Sequence, residues 1–223
     1  MSAIAFTVTR HAAITIIGIL CVALVAACSG VPLTSIPRLL RLNGQLLDAK
    51  PAEFMVAVQL DARMVPAPGG VPVMEVVIEP SVPGAFEVVN KRLPMRLTIT
   101  DDGPQASAAL RSFGLQAAPA GRRWLVYSFT PESQAELERI QLTIKRLMQN
   151  KLSGSGPGKG GGKITAGMAQ EGIAARDPAF ANTRWESWLQ TRQAEGFYEL
   201  WSGTVGALTR QAGRPKTESA YTR

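Results

Sequence analysis

From Glu53 to Asp61 apolar and smaller or polar residues alternate, with Phe54, Val56, Val58 and Leu60 on one side and Met55, Ala57, Gln59 and Asp61 on the other. A period of two with one strongly apolar side predicts a β-strand. Val73 to Glu79 alternates again, Met74, Val76 and Ile78 against Val73, Glu75, Val77 and Glu79. Pro80, Pro83 and Gly84 interrupt the pattern, Phe86 to Val89 resumes it, and Met95, Leu97 and Ile99 alternate with Arg96, Thr98 and Thr100 up to the turn signal Asp101-Asp102-Gly103-Pro104. Arg122 to Phe129 is rich in aromatic and β-branched residues and reads as another strand. The spacing of these runs suits an antiparallel sheet.

The period changes at Thr130. Thr130 is placed to cap a helix, and Pro131 fits the first helical position, where its missing N–H has no intrahelical partner to lose. Leu137, Ile140, Ile144, Leu147 and Met148 then recur at three- and four-residue steps, while Lys145, Arg146 and Lys151 lie near the negative end of the dipole. The pattern predicts a helix of about five turns lying on the sheet. Ser153 to Gly162 holds six glycines in ten residues and reads as a flexible loop, and Lys163 to Met168 as a short strand. Arg184 to Thr191 and Phe197 to Gly203, joined by the polar Arg192–Gly196, suggest a hairpin; the spacing of Trp185, Trp188 and Leu189 also fits a short helix for the first half. Together these elements predict an α+β fold: an antiparallel, sandwich-like sheet with one long packing helix and a carboxyl-terminal aromatic hairpin.

The amino terminus has a different character. Residues 1–11 carry no acidic group and end in Arg10-His11, and Ala12 to Ala27 then runs apolar for 16 residues before turning polar at Ser29-Gly30. A spanning helix needs about 20 apolar residues, so this run fits the charged and hydrophobic regions of an export signal better. It ends in Val25-Ala26-Ala27-Cys28, an aliphatic residue, two small residues and a cysteine.

That ending resembles the lipobox of bacterial lipoproteins, and the chain is similar in this respect to proteobacterial envelope lipoproteins. The resemblance implies cleavage between Ala27 and Cys28, with acylation of the Cys28 sulfur by diacylglycerol carrying chains such as palmitate. Each buried methylene contributes about 0.8 kcal/mol and stable anchoring takes about two chains, so a triacylated cysteine holds the protein at a membrane. Ser29, being a residue other than Asp, favours the outer membrane over the inner one within that resemblance. The expected organisation is a signal peptide over 1–27, an acylated amino terminus and tether over 28–50, a single α+β domain over 51–209 with its Gly-rich loop at 153–162, and a disordered tail over 210–223. Whether the leucines around Asn43-Gly44 form a short helix or two small strands stays open.

Composition narrows the chemistry. His11, Cys21 and Cys28 are the only histidine and cysteines, so the 195 residues that follow Cys28 cannot build a Ser-His-Asp or Cys-His nucleophile or a zinc site of nitrogen and sulfur ligands. No Gly-x-Ser-x-Gly elbow and no Ser-x-x-Lys pair occurs. At Gly158-Lys159 the phosphate-loop pattern fails at Ser153 and Gly160, and Gly156, Gly158 and Gly161 follow a helix instead of opening one, against dinucleotide binding. Asp101-Asp102-Gly103 lacks the further oxygen ligands of a calcium loop. No metal and no cofactor is expected. Loss of residues 1–27 removes only Arg10, lowering the net charge from +7 to +6 on 196 residues. An exported, tethered chain of that charge meets anionic lipid and glycan, not nucleic acid.

The aromatic group Trp185, Trp188, Phe197, Tyr198 and Trp201 reads first as core or self-packing, and it is also the one candidate ligand or partner surface that the sequence offers. Glu186, Glu195 and Glu199 lie nearby, but their spacing in sequence does not define the carboxylate separation that glycoside cleavage requires. The expected function is a lipid-anchored, periplasm-facing envelope protein that is not an enzyme. It would act as a structural or assembly module whose partners are the membrane, through its acyl chains, and other envelope proteins. The alternative is a binding protein for a lipid, glycan or acyl ligand.

Overall fold

The computed structural model describes residues 47–80, 84, 86–101, 103–153, 162–170, 172–174 and 177–212. The signal segment, the cleavage site Ala27-Cys28, the tether up to residue 46, most of the Gly-rich loop and residues 213–223 lie outside the described residues.

Strands form where they were expected: β1 (Met55–Asp61) and β2 (Val73–Pro80) from alternation, β4 (Arg122–Phe129) from its aromatic and β-branched residues, and β5 (Gly162–Ala169) around the short strand read at Lys163–Met168. Between β2 and β4 the chain makes one twelve-residue strand, β3 (Val89–Thr100), that continues through Pro94. It manages this because it serves two neighbours in turn. Residues 89–94 pair with β2, and residues 95–100 pair with β4 across a register shift between Leu97 and Ile99. A strand that changes partners part-way bends where the change occurs, and the bulge adds local twist.

With β6 (Arg184–Gln190) and β7 (Tyr198–Thr204), the strands form one antiparallel, curled sheet in the order β5-β2-β3-β4-β1-β6-β7. Three α-helices whose bounds lie wholly among the described residues accompany it: α1 (Pro104–Ser112), α2 (Pro131–Ser153) and α3 (Val205–Ala212). The fold is therefore of mixed α and β class. Among the described residues, no helix is long and apolar enough to cross a membrane.

The sheet has a buried layer on each side. On one face Val56, Val58, Leu60, Leu125, Tyr127 and Phe129 join Met74, Val76 and Ile78 of β2 and Leu137, Ile140 and Ile144 of α2 in the main cluster. Phe54 and Phe129 stack within it, 5.0 Å between ring centres. On the other face Met55, Ala57, Trp124 and Val126 lie under Leu110 of α1 and Leu115, which follows it. β1, flanked by β4 and β6, is thus buried on both sides, although its sequence shows one apolar side and one mixed side.

The start of α2 is fixed by its cap. Thr130 Oγ1 accepts from the Ser133 amide at 3.2 Å, and Ser133 Oγ donates to the Pro94 carbonyl at 2.8 Å, tying the helix to β3. Two boundaries read from the sequence need correction. Leu47 and Ala49 are buried and Gln141 Nε2 donates to the Ala49 carbonyl at 2.8 Å, so residues 47–50 belong to the packed body and not to the tether. Residues 210–212 belong to α3, not to a disordered tail, because α3 places Val205 in the main cluster with Ala207 and Leu208 packed against it.

Candidate functional site

The five aromatic residues singled out in the sequence all fall on or beside the β6–β7 pair, but the pair does not present them together. In a strand, residues three apart point to opposite faces. Trp185 accordingly enters the main cluster, fully buried, with Leu189 on its side, while Trp188 turns to the second cluster.

On β7 a register shift, Ser187 opposite Trp201 but Trp188 opposite Glu199, leaves Leu200 as an extra residue. The shift lets Tyr198 and Trp201, three apart, share the main-cluster face, where both are buried. Phe197, just before the strand, goes with Trp188. The rings therefore divide three against two: Trp185, Tyr198 and Trp201 on one side, Trp188 and Phe197 on the other.

Each half finds partners. The Trp185 indole nitrogen faces Gln170 Oε1 at 3.4 Å. The far ring of Trp201 folds back over Gly203, which stands opposite Trp185 across the strand pair. On the second side Trp188 meets Trp124 edge-on at 6.2 Å, and Phe197 meets Phe113 edge-on at 6.4 Å. Such edge-to-face pairs contribute roughly 0.5–1.5 kcal/mol beyond area burial. Trp124 donates to the Gln116 carbonyl at 2.9 Å, whereas Trp188 Nε1 is buried with no acceptor among the described residues.

Beside these rings lies a polar group of which the sequence pointed only to Glu186. Gln59, Trp124 and Glu186 form one row across β4, β1 and β6, next to Arg122. Arg122 donates to Glu186 at 3.1 Å and to the Gln59 carbonyl at 2.9 Å, and Arg184 also pairs with Glu186. The Arg122 and Glu186 side chains are only 16% and 12% exposed. Registering β4 against β1 and β1 against β6 would have revealed this pair, but residues 64 apart carry no local signal. Of the carboxylates named with the rings, Glu186 is thus held by two guanidiniums, and Glu195 lies 3.7 Å from Arg192.

Elsewhere, the Arg63 side chain, followed by its backbone amide, donates to Asp61 and holds that carboxyl at about 2, below the ordinary 3.8. Burial pushes the Tyr127 phenol upward. An open cleft of about 590 Å³ is lined by Asp48, Lys50, Glu53, Arg192, Gln193 and Ala194. There the Gln193 amide, followed by the Lys50 ammonium, lowers the Glu53 pKa. A second open cleft, of about 850 Å³, lies between β3 and the start of α2. Among the described residues, no cluster of three or more His, Cys, Asp or Glu could hold a metal ion. No protein-family model, curated protein or solved structure matches the chain.

Proposed function

We propose that the chain is a lipid-anchored envelope protein, held through acylated Cys28 and acting as a non-catalytic structural or assembly module. Anchoring is supported by the run Ala12–Ala27 and its ending Val25-Ala26-Ala27-Cys28, similar to lipoprotein signals. The observation that carries the assembly role is the open sheet: it ends at β5, whose strand partner among the described residues is β2 alone. A terminal strand offers backbone donors and acceptors to a partner.

In this reading the curl brings β2 and the β6–β7 pair to one cluster in a sandwich-like way, α2 is the packing helix, and β6–β7 is an aromatic hairpin. Three of its rings serve as core, which favours assembly over ligand capture. A second reading, a binding protein for a lipid, glycan or acyl ligand, draws on Trp188, half-buried beside Phe197 with a shielded indole N–H that has no acceptor among the described residues.

The test is fatty-acid labelling with membrane fractionation in a bacterial host. Wild type is expected to incorporate labelled palmitate and sediment with membranes, and Cys28→Ala to lose the label. Labelling that persists in Cys28→Ala, or wild-type protein whose intact mass retains Met1 and an unmodified thiol, overturns the anchor.

A further inference from the structure

We propose that β5 is the seam of a two-fold homodimer, in which β5 of one chain pairs antiparallel with β5 of a second copy and the two sheets become one. The inference deepens the assembly reading and takes its anchoring as given.

The two ends of the sheet differ in how they are protected. Natural edges are blunted by bulges, charges, proline or a covering element. β7 carries the extra residue Leu200 and the charge of Glu199, and it runs directly into α3. Among the described residues, β5 has none of these devices along most of its length. Its register with β2 is regular from Val73 opposite Ala169 to Pro80 opposite Gly162, it contains no proline, and its single charge, Lys163, sits at its beginning. Ile164, Ala166 and Met168 face the main cluster yet stay half-buried. They form an apolar row at the end of the sheet that a further strand would cover.

A second copy fits this row by symmetry. A two-fold axis normal to the sheet keeps each face on its own side, so opposed residues must have numbers of the same parity. With the axis at Ala166, Ile164 opposes Met168 of the other copy twice and Ala166 opposes itself, extending the apolar row without a gap. On the outer face Thr165 opposes Gly167 and Lys163 opposes Ala169, so no like charges meet. An axis at Thr165 would place Met168 against Gly162 and leave it uncovered.

One strand pair is smaller than the roughly 1,200–2,000 Å² of a stable interface, so the contact is weak between freely diffusing chains. Tethering both copies to one membrane raises their effective concentration, the condition under which a small interface suffices.

The experiment is a cysteine scan of the full lipidated chain in an oxidising envelope, read on non-reducing gels. Directly opposed residues lie within disulfide reach, whereas diagonal ones stand about 7–8 Å apart. Ala166→Cys and the double variant Thr165→Cys/Gly167→Cys are expected to give a dimer band, and either Thr165→Cys or Gly167→Cys alone to give none. Native mass spectrometry from detergent supplies the second measurement. Thr165→Lys/Gly167→Lys, which opposes like charges on exposed positions, is expected to lose the dimer, and Thr165→Lys/Gly167→Glu to restore it. Equal crosslinking at all positions, or none in protein that still incorporates palmitate, overturns the seam while leaving the anchor standing. A chain that is not acylated yet crosslinks at Ala166 overturns the anchor and retains the seam.

Discussion

The packing of Trp201 over Gly203 predicts a substitution whose sign reverses with its background. A Cβ added at Gly203 would stand 2.6 Å from Trp201 Cη2 and 2.7 Å from Cζ2, closer than carbon atoms approach. The indole is buried in the main cluster and Trp185 lies opposite Gly203, so the ring has little room to retreat. Overpacking of this kind costs about 1–3 kcal/mol. Against it stands a gain of about 0.4–1 kcal/mol, because alanine restricts the unfolded chain more than glycine does. The clash is the larger effect, and Gly203→Ala should destabilise by about 1–2 kcal/mol. In a Trp201→Leu background the obstructing ring atoms are gone, and the same Gly203→Ala change should be neutral or slightly stabilising. Urea unfolding followed by circular dichroism, applied to wild type, both single variants and the double variant, measures the coupling without relying on Trp fluorescence. Independent sites add within about 0.3–0.5 kcal/mol, so additivity of that order would refute the contact.

Two further outcomes follow from charged groups. Asp61 has a depressed folded pKa, so its contribution to stability is complete above the unfolded value near 3.8 and is lost as pH falls toward about 2. A carboxyl-carbon NMR titration should place its midpoint near 2 in wild type and closer to 3.8 in Arg63→Ala; an unmoved midpoint would exclude Arg63 as the cause. Glu186→Leu should cost about 1–3 kcal/mol by leaving the shielded Arg122 without its carboxylate, and adding Arg122→Met should recover part of that loss. Equal and additive losses in thermal or urea unfolding would show that the two side chains act separately.

What could be read from the sequence and what could not divide along one physical line. β1, β4 and the start of α2 were legible because their signals are local: a period of two in Phe54–Leu60, β-branched and aromatic residues in Arg122–Phe129, and a Thr-Pro cap ahead of Leu137. β3 was read as two pieces, Phe86–Val89 and Met95–Thr100, because the polar run Asn90-Lys91-Arg92 carries no apolar alternation; the strand is continuous because residues 89–94 pair with β2 before the partner changes to β4, and Pro94 stands at that change. α1 and α3 were not read. They are short, nine and eight residues, and their sequences are rich in small or polar residues. The aromatic group was legible as a store of core rings but not in its division between two faces. Treating Trp185, Trp188, Phe197, Tyr198 and Trp201 as one surface assumes that neighbours in sequence share a face. In β6 the three-residue step from Trp185 to Trp188 forbids it, and in β7 the same step from Tyr198 to Trp201 permits it only because Leu200 is an extra residue. A bulge is a property of the strand pair, so it shifts the face of every ring beyond it without a residue-level signature. The same shift brings Trp201 over Gly203, so the coupling between those two positions also tests whether the bulge is where the register places it.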